Sequence, residues 1–499
     1  MDSHSKKNYA RRTVQGVAVI LFANMAAAFF AYLFRMLLAR NLSLAEFGFF
    51  FALLALGGLL AIFRDLGLSQ ATYYFVPRFL AQKRFGKLKG FVLSIMTMEF
   101  IMGCAFVLLI LLFSSVLINS YFHAGTFLIL LLFAFCFFLN SLEMMFQHLF
   151  NAFHNRFLFS LQTVARSVLI FALTFAAFHF ISGIAAPLTM QLITYALLLI
   201  AASIAFFWRM FPSFFKTVAQ KTHVPALISF GMVATASLVG LLLLSYTDTL
   251  LLTYFRTLEE VGLYNAAVPI ITLMLYIPLS IGAGFASLTS ELWIRREKKL
   301  LRSIIHIASK YTLIFLIPLA GVLILYPELV LRLLFGDTFT QAYSALAILA
   351  FGAIFYGLGQ IYLQSLMSIE GPMSNLRILL GVAAFNLVAN ILLIPRFGIV
   401  GAAIATCTSY VLIFLISSWT LYRKLSFRDS LWPYAAILLC GALFVWSVSY
   451  LKSAVHFPLF VSLALILAAS GALYIALLFL FRVISIREFL ELKEKLFSK

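Results

Sequence analysis

Apolar runs of roughly twenty to thirty residues, broken by short polar or basic connectors, recur along the whole 499-residue chain. About twenty apolar residues is the length at which a helix crosses the hydrocarbon core of a bilayer. Read between their polar breaks, the runs predict about fourteen spans. Six lie near 14–38, 46–66, 90–118, 124–150, 158–180 and 185–209, and six more near 224–250, 260–286, 303–326, 342–367, 373–394 and 398–421. Two follow, near 432–451 and 457–481. The first run, of about 25 residues, is too long for a signal-peptide core and is read as an uncleaved span.

Two pairs of segments, each about 215 residues apart, repeat. NLSLAEFGFF (Asn41–Phe50) pairs with RTLEEVGLYN (Arg256–Asn265), aligning Ser43, Glu46 and Gly48 with Thr257, Glu260 and Gly262. SGIAAPLTMQLITY (Ser182–Tyr195) pairs with FGIVGAAIATCTSY (Phe397–Tyr410), matching Gly183, Ile184 and Tyr195 to Gly398, Ile399 and Tyr410. Two pairs in register predict a duplicated bundle, a plan used by many secondary transporters. The expected fold is therefore all-α and polytopic, with two six-helix lobes related by a pseudo-two-fold axis plus two extra helices. The expected boundaries are 1–215 for the first lobe, 216–425 for the second, 426–482 for the added helices and 483–499 for an amphipathic tail. An even number of helices per repeat gives both halves the same orientation, with a cavity expected between them. The Ser43/Glu46 and Thr257/Glu260 spacings are those of capping boxes.

Composition agrees with a lipid solvent: 64% of residues are hydrophobic, 11% are charged and the mean hydropathy is +1.07. The net charge of +19 raises the question of nucleic acid, but the placement of the charge excludes it. With both termini inside, about 27 of the 36 Lys and Arg fall in cytoplasmic segments. Five fall outside (Arg40, Arg256, Arg332, Arg396, Lys452) and four within spans (Arg35, Arg64, Arg166, Lys310). That bias predicts a multi-pass protein of the cell (cytoplasmic or inner) membrane with cytoplasmic termini. The four cysteines all lie in apolar runs without metal-ligand spacing and read as buried small hydrophobes. No catalytic triad, metal cluster, phosphate-cradling GxxxxGK[ST] motif or sizeable catalytic loop is present, which argues against an enzyme and against nucleotide as the energy source.

LLARNLSLAEFGFF (Leu37–Phe50), DLGLSQA (Asp65–Ala71), YTDTLLL (Tyr246–Leu252), EEVGLYNAAVPI (Glu259–Ile270) and IPRFGIVGAAIATCTSY (Ile394–Tyr410) together resemble a known set. It is that of the polysaccharide-transporter, Wzx-like flippase branch of the multidrug/oligosaccharidyl-lipid/polysaccharide exporter superfamily. The resemblance spans roughly residues 14–420. It implies a fourteen-helix carrier working by alternating access, without a cofactor. The implied cargo is a polyprenyl-diphosphate-linked glycan, moved from the cytoplasmic to the outer leaflet for surface polysaccharide synthesis. Membrane lipids, a polysaccharide polymerase and glycosyltransferases are the implied partners. The coupling ion, H+ or Na+, is left open. A drug/cation antiporter of the same superfamily and a lipid II flippase are the alternatives.

Ionisable residues deep in a span are functional candidates by default, because lipid penalises them. In the first lobe these are Arg35, Arg64, Asp65, Glu99, Glu143, His148 and Arg166; in the second, Asp248 and Lys310. Asn140, Glu143, Gln147, Asn151 and His154 recur at helical spacing on the fourth span, next to Gln162 and Arg166 on the fifth. Two readings fit that stripe: a wet cavity wall, or polar glue between helices. Gln360 and Gln364, followed by Ser368, form an uncharged counterpart in the second lobe. The guanidinium forks of Arg35 and Arg166 suit the diphosphate that the resemblance implies. The competing roles are snorkelling for Arg35 and an ion pair with Glu143 or Glu99 for Arg166. Glu99, Glu143 and Asp248 are the candidates for ion coupling.

Overall fold

The computed structural model describes residues 3–65, 67–220, 224–425, 432–454 and 459–484, so most of the expected tail, 483–499, lies outside the described residues. No strand occurs among the described residues. Eleven helices are long and apolar enough to span a membrane. One of them, α14 (Pro372–Leu425), holds two of the expected spans joined at a kink. The shorter apolar stretches Val239–Phe255 and Leu465–Leu480 fall in the seventh and fourteenth expected spans. The protein is a polytopic, all-α membrane protein.

The chain divides into two compact units, Met1–Leu263 with Leu334–Gly336, and Tyr264–Leu333 with Asp337–Lys499. The first unit holds α1 (Ser3–Asn41), α2 (Leu44–Asp65), α3 (Leu68–Ala81), α4 (Phe85–Leu112) and the single turn α5 (Ser114–Val116). It continues with α6 (Phe127–Ala152), α7 (Arg156–Ala177), α8 (Ala185–Ile204) and α9 (Val224–Phe255). Helix α6 is its centre and packs against α3, α4, α7 and α8, while α1 lies along α7. Beneath this, Phe91, Phe146, Phe150 and Phe206 form a core in which buried aromatic area supplies the cohesion that the hydrophobic effect cannot provide between helices in lipid. Helix α3 is not among the expected spans. Its 14 residues are too few to cross the bilayer, and it lies where the polar pattern marked part of a connector.

The second unit contains most of α10 (Leu258–Ile294), then α11 (Lys298–Leu325) and most of the nine-residue α12 (Pro327–Phe335). Helices α13 (Tyr343–Glu370), α14, α15 (Trp432–Ala454) and α16 (Leu459–Leu480) complete it. Helix α13 packs against both α14 and α11, and the added pair α15–α16 is seated on α11. The Tyr474 hydroxyl of α16 donates to the Ile314 carbonyl of α11 at 3.1 Å.

Both duplicated motifs have backbone counterparts. Gly183 and Gly398, matched in the second pair, both take the left-handed conformation, with φ of 70° and 56°. A residue with a Cβ would be strained at either place. At Gly398 this breaks the 54-residue α14 into its two spans. In the first pair, a Cβ on Gly48 would collide with the Leu258 carbonyl oxygen, and one on Gly262 would reach within 2.6 Å of the Leu44 carbonyl oxygen. The starts of α2 and α10 therefore meet backbone to backbone through the two matched glycines. In the first copy the capping box is closed. The Ser43 amide donates to Glu46 Oε2 at 2.9 Å, and the Glu46 amide donates back to Ser43 Oγ at 3.2 Å. In the second copy Glu260 accepts from Arg256 Nε at 2.9 Å.

Candidate functional site

A tight turn joins α6 to α7 and sets the register of the candidate site. Helix α6 ends at Ala152, and the Asn155 side chain caps α7 by accepting from the Leu158 amide at 3.1 Å. His154 lies in this turn at φ 59°, so it leaves the helical stripe that its spacing had assigned it to. The antiparallel pair brings Glu143 opposite Gln162 and Gln147 opposite Thr163 and Arg166.

The result is one continuous polar chain inside an apolar hairpin. Gln162 Nε2 donates to Glu143 Oε1 at 2.7 Å and to the Glu143 carbonyl at 3.0 Å. Arg166 Nη2 lies 3.3 Å from Glu143 Oε2 and donates to Gln147 Oε1 at 2.5 Å. Gln147 Nε2 donates to Thr163 Oγ1 at 2.6 Å, and Thr163 donates to the Phe159 carbonyl at 2.9 Å. The Glu143 side chain is sealed, at 0% exposure, whereas Arg166 is 20% exposed. The carboxylate is thus the buried anchor, and the guanidinium is the group that stays partly exposed. Glu143 Oε2 is met by the Arg166 ion pair, whereas two other buried polar atoms of this network, Arg166 Nε and Gln162 Oε1, have no hydrogen-bond partner. In a low-dielectric interior such atoms are unfavourable until a polar guest meets them.

Sequence spacing pointed to Glu143, Gln147, Gln162 and Arg166, and the structure brings these four together. Thr163 and Tyr195 were missed. Thr163 reads as one more β-branched residue in an apolar helix. Tyr195 lies on α8, close enough to Arg166 and Glu143 to feel their charges, a proximity that only the fold creates. Asn140 and Asn151 lie on the same helix, half-buried.

Glu99 sits apart from that network. Its Oε2 accepts from Ser141 Oγ at 2.7 Å, and Arg64 Nε lies 3.9 Å away with its guanidinium over the Phe137 ring. This second buried charge group ties α2, α4 and α6. Arg35 on α1 places its guanidinium 4.3 Å from the centre of the Phe51 ring. Asp248 is buried on α9, in the turn that also carries Tyr246, whose ring abuts Gly58 of α2.

In the second unit, Gln360 is buried beside its hydrogen-bond partner Tyr356, and Gln364 packs against Gly282 of α10. Ser368 folds back on the Gln364 carbonyl at 2.9 Å. The strongest polar cluster there was not foreseen. Asn386 Nδ2 donates to Ser409 Oγ at 3.2 Å, and Asn390 Nδ2 donates to Asn386 Oδ1 at 3.0 Å, bracing α14 across its kink. Periodicity could not find it, because the partners lie on two spans whose pairing depends on Gly398. Among the described residues, no three His, Cys, Asp or Glu side chains converge as metal ligands would.

Comparison with known proteins bears on the family and the fold. The sequence profile of a family described as "Polysaccharide biosynthesis protein" matches residues 13–286. An uncharacterized membrane protein of Methanocaldococcus jannaschii is 30% identical over 460 residues, covering 89% of this chain and 91% of its own. A probable low-salt glycan biosynthesis flippase, Agl15 of Haloferax volcanii, is 25% identical over 185 residues, covering 37% of this chain and 39% of its own. In fold, the chain is similar to the lipid II flippase MurJ in an inward closed conformation. The TM-score is 0.73 at 16% identity, covering 94% of this chain and 99% of that one. An inward-facing MATE-family multidrug resistance transporter follows with a TM-score of 0.67 at 13% identity, covering 81% and 96%.

Proposed function

We propose, for a chain that belongs to the polysaccharide biosynthesis protein family, that it flips a polyprenyl-diphosphate-linked oligosaccharide from the cytoplasmic to the outer leaflet. The relatives with assigned roles are named as flippases, one of them of glycan biosynthesis, which supports the coarse reading. The cargo is the finer reading, and one observation carries it. Arg166 is held between Gln147 and a sealed Glu143, yet keeps an exposed edge and a spare buried Nε donor. A guanidinium anchored in this way can turn a forked pair of donors to a phosphate while Gln147 still holds it.

On this reading transport proceeds by alternating access, with the repeats 1–215 and 216–425 as the moving halves. In this mechanism Arg166 exchanges Glu143 for the diphosphate as cargo enters, and Glu143 then takes up a proton or a sodium ion. Glu99 and Asp248 are the further candidates for coupling. Arg35 is a second phosphate contact, and Gln162, Asn140 and Asn151 offer hydrogen bonds to sugar hydroxyls. Gln360 and Gln364 are the corresponding polar positions of the second repeat. The termini lie in the cytoplasm, and the enzymes that build and polymerise the glycan are the partners.

The test is depletion of the protein in its own host, followed by assay of which leaflet holds the lipid-linked glycan. Accumulation of finished glycan on the cytoplasmic face is expected. Unchanged sidedness in a host with no second carrier would refute the proposal.

A further inference from the structure

A cavity of about 700 Å3 lies within the second unit, walled by His306 and Ser309 of α11, Tyr362 of α13, Trp419 and Tyr422 of α14, and Tyr434 of α15. Its volume is in the ~300–1,000 Å3 range of small-ligand sites. Three of these helices meet it near the ends that carry or adjoin basic connectors. Helix α11 opens on Lys298 and Lys299, α14 closes on Arg423 and Lys424, and α15 begins at Trp432. The charge bias assigns those ends to the cytoplasmic side.

Trp and Tyr at this depth ordinarily form a belt on a convex, lipid-facing surface. Here they wall a hollow, and polar groups lie among the rings. Trp419 and Tyr422 lie with planes 20° apart and centroids 6.4 Å apart, leaving 57% and 51% of their surfaces uncovered. The Arg423 guanidinium sits 5.0 Å from the centre of a Trp419 ring. The Tyr434 hydroxyl meets His306 Nδ1 at 3.0 Å, and the fully buried Ser309 Oγ, beside Tyr362 in the wall, has no hydrogen-bond partner. Ile305, Leu415 and Leu421 also line the wall; a prenyl chain needs only such apolar side chains, and a phosphate calls for a fork of cations. Flat ring faces edged with hydroxyls and an imidazole instead match a sugar ring, which has a C–H face and a hydroxyl rim.

We propose that this cavity is a receiving site for the glycan of the lipid-linked substrate on the cytoplasmic side, separate from the Arg166 network. Trp419 and Tyr422 form the stacking platform, and the His306–Tyr434 pair, the unpartnered Ser309 hydroxyl and Tyr362 supply the hydrogen bonds. The proposal rests on the flippase reading for the identity of its ligand.

The experiment uses the full chain in lipid nanodiscs with Trp208, Trp293, Trp432 and Trp446 replaced by Phe, so that Trp419 is the sole indole. Two probes are titrated: farnesyl diphosphate bearing one N-acetylglucosamine, and farnesyl diphosphate alone. The sugar-bearing probe is expected to shift Trp419 emission and to bind about tenfold tighter than the plain one. Tyr422→Ala should erase that preference, and Tyr422→Phe, which keeps the ring, should retain it and show that the site still folds. An equal response to both probes would make this a prenyl-chain site and overturn the proposal. Silence with both would make it an ordinary aromatic belt and overturn it as well. Leaflet sidedness in depleted cells is read independently, so loss of sugar preference with normal flipping refutes this site alone. Sugar preference without any flipping refutes the transport reading alone.

Discussion

Glu143 and Arg166 differ in what each leaves behind when removed. Arg166→Ala strands a carboxylate at 0% exposure, and breaking a buried pair in this way costs about 3–5 kcal/mol. Glu143→Gln leaves a partly exposed guanidinium that still donates to Gln147, and the new amide can keep the bond to Gln162. Thermal unfolding in nanodiscs should therefore rank Arg166→Ala well below Glu143→Gln. The double variant should recover most of the loss, a coupling that a double-mutant cycle measures. If Arg166 serves only as glue, the recovered double variant will also transport; on the proposal made here it will fold and remain inactive. The four polar residues at the heart of this site were legible because helical spacing alone puts them on facing stripes. Thr163 and Tyr195 were not legible, because their role depends on which neighbours α6 acquires.

At the scale of elements, the duplicated Ser/Thr-x-x-Glu-x-Gly motif was readable as a cap, and in the first copy the reciprocal Ser43–Glu46 bonds bear that out. The use of its glycine was not readable, since capping is local whereas the meeting of Gly48 with the Leu258 turn joins segments about 210 residues apart. Substituting Gly48→Ala forces a methyl group into a carbonyl oxygen and an amide of another backbone, neither of which can rotate away. Overpacking of this kind costs about 1–3 kcal/mol. Ser43→Ala removes one cap and should cost about 1 kcal/mol. Differential scanning of the two variants should place Gly48→Ala as the more damaging. Equal melting points would show that the starts of α2 and α10 are not held as closely as described. Helices α3 and α12 escaped the hydropathy pattern for a related reason. At 14 and 9 residues they are too short to register as spans, and their helical form draws on packing against neighbours.

For the whole molecule, orientation is the property that the charge pattern predicts most directly. The basic ends cluster at Lys83, Arg84 and Lys87 before and within α4, at Arg295 to Lys299 between α10 and α11, and at Arg423 and Lys424 closing α14. The opposite connectors carry isolated cations, and two of these are tied down. Arg256 is held by Glu260, and Arg332 lies 2.6 Å from Asp337. Single cysteines at Lys87, Lys299, Thr340 and Arg396, in a chain with its four native cysteines replaced, convert this into a measurement. A membrane-impermeant maleimide applied to intact cells should label Thr340→Cys and Arg396→Cys, and should reach Lys87→Cys and Lys299→Cys only after permeabilisation. The reverse pattern would invert the protein, place the aromatic cavity of the second unit at the outer leaflet, and remove the reason for assigning it to incoming glycan.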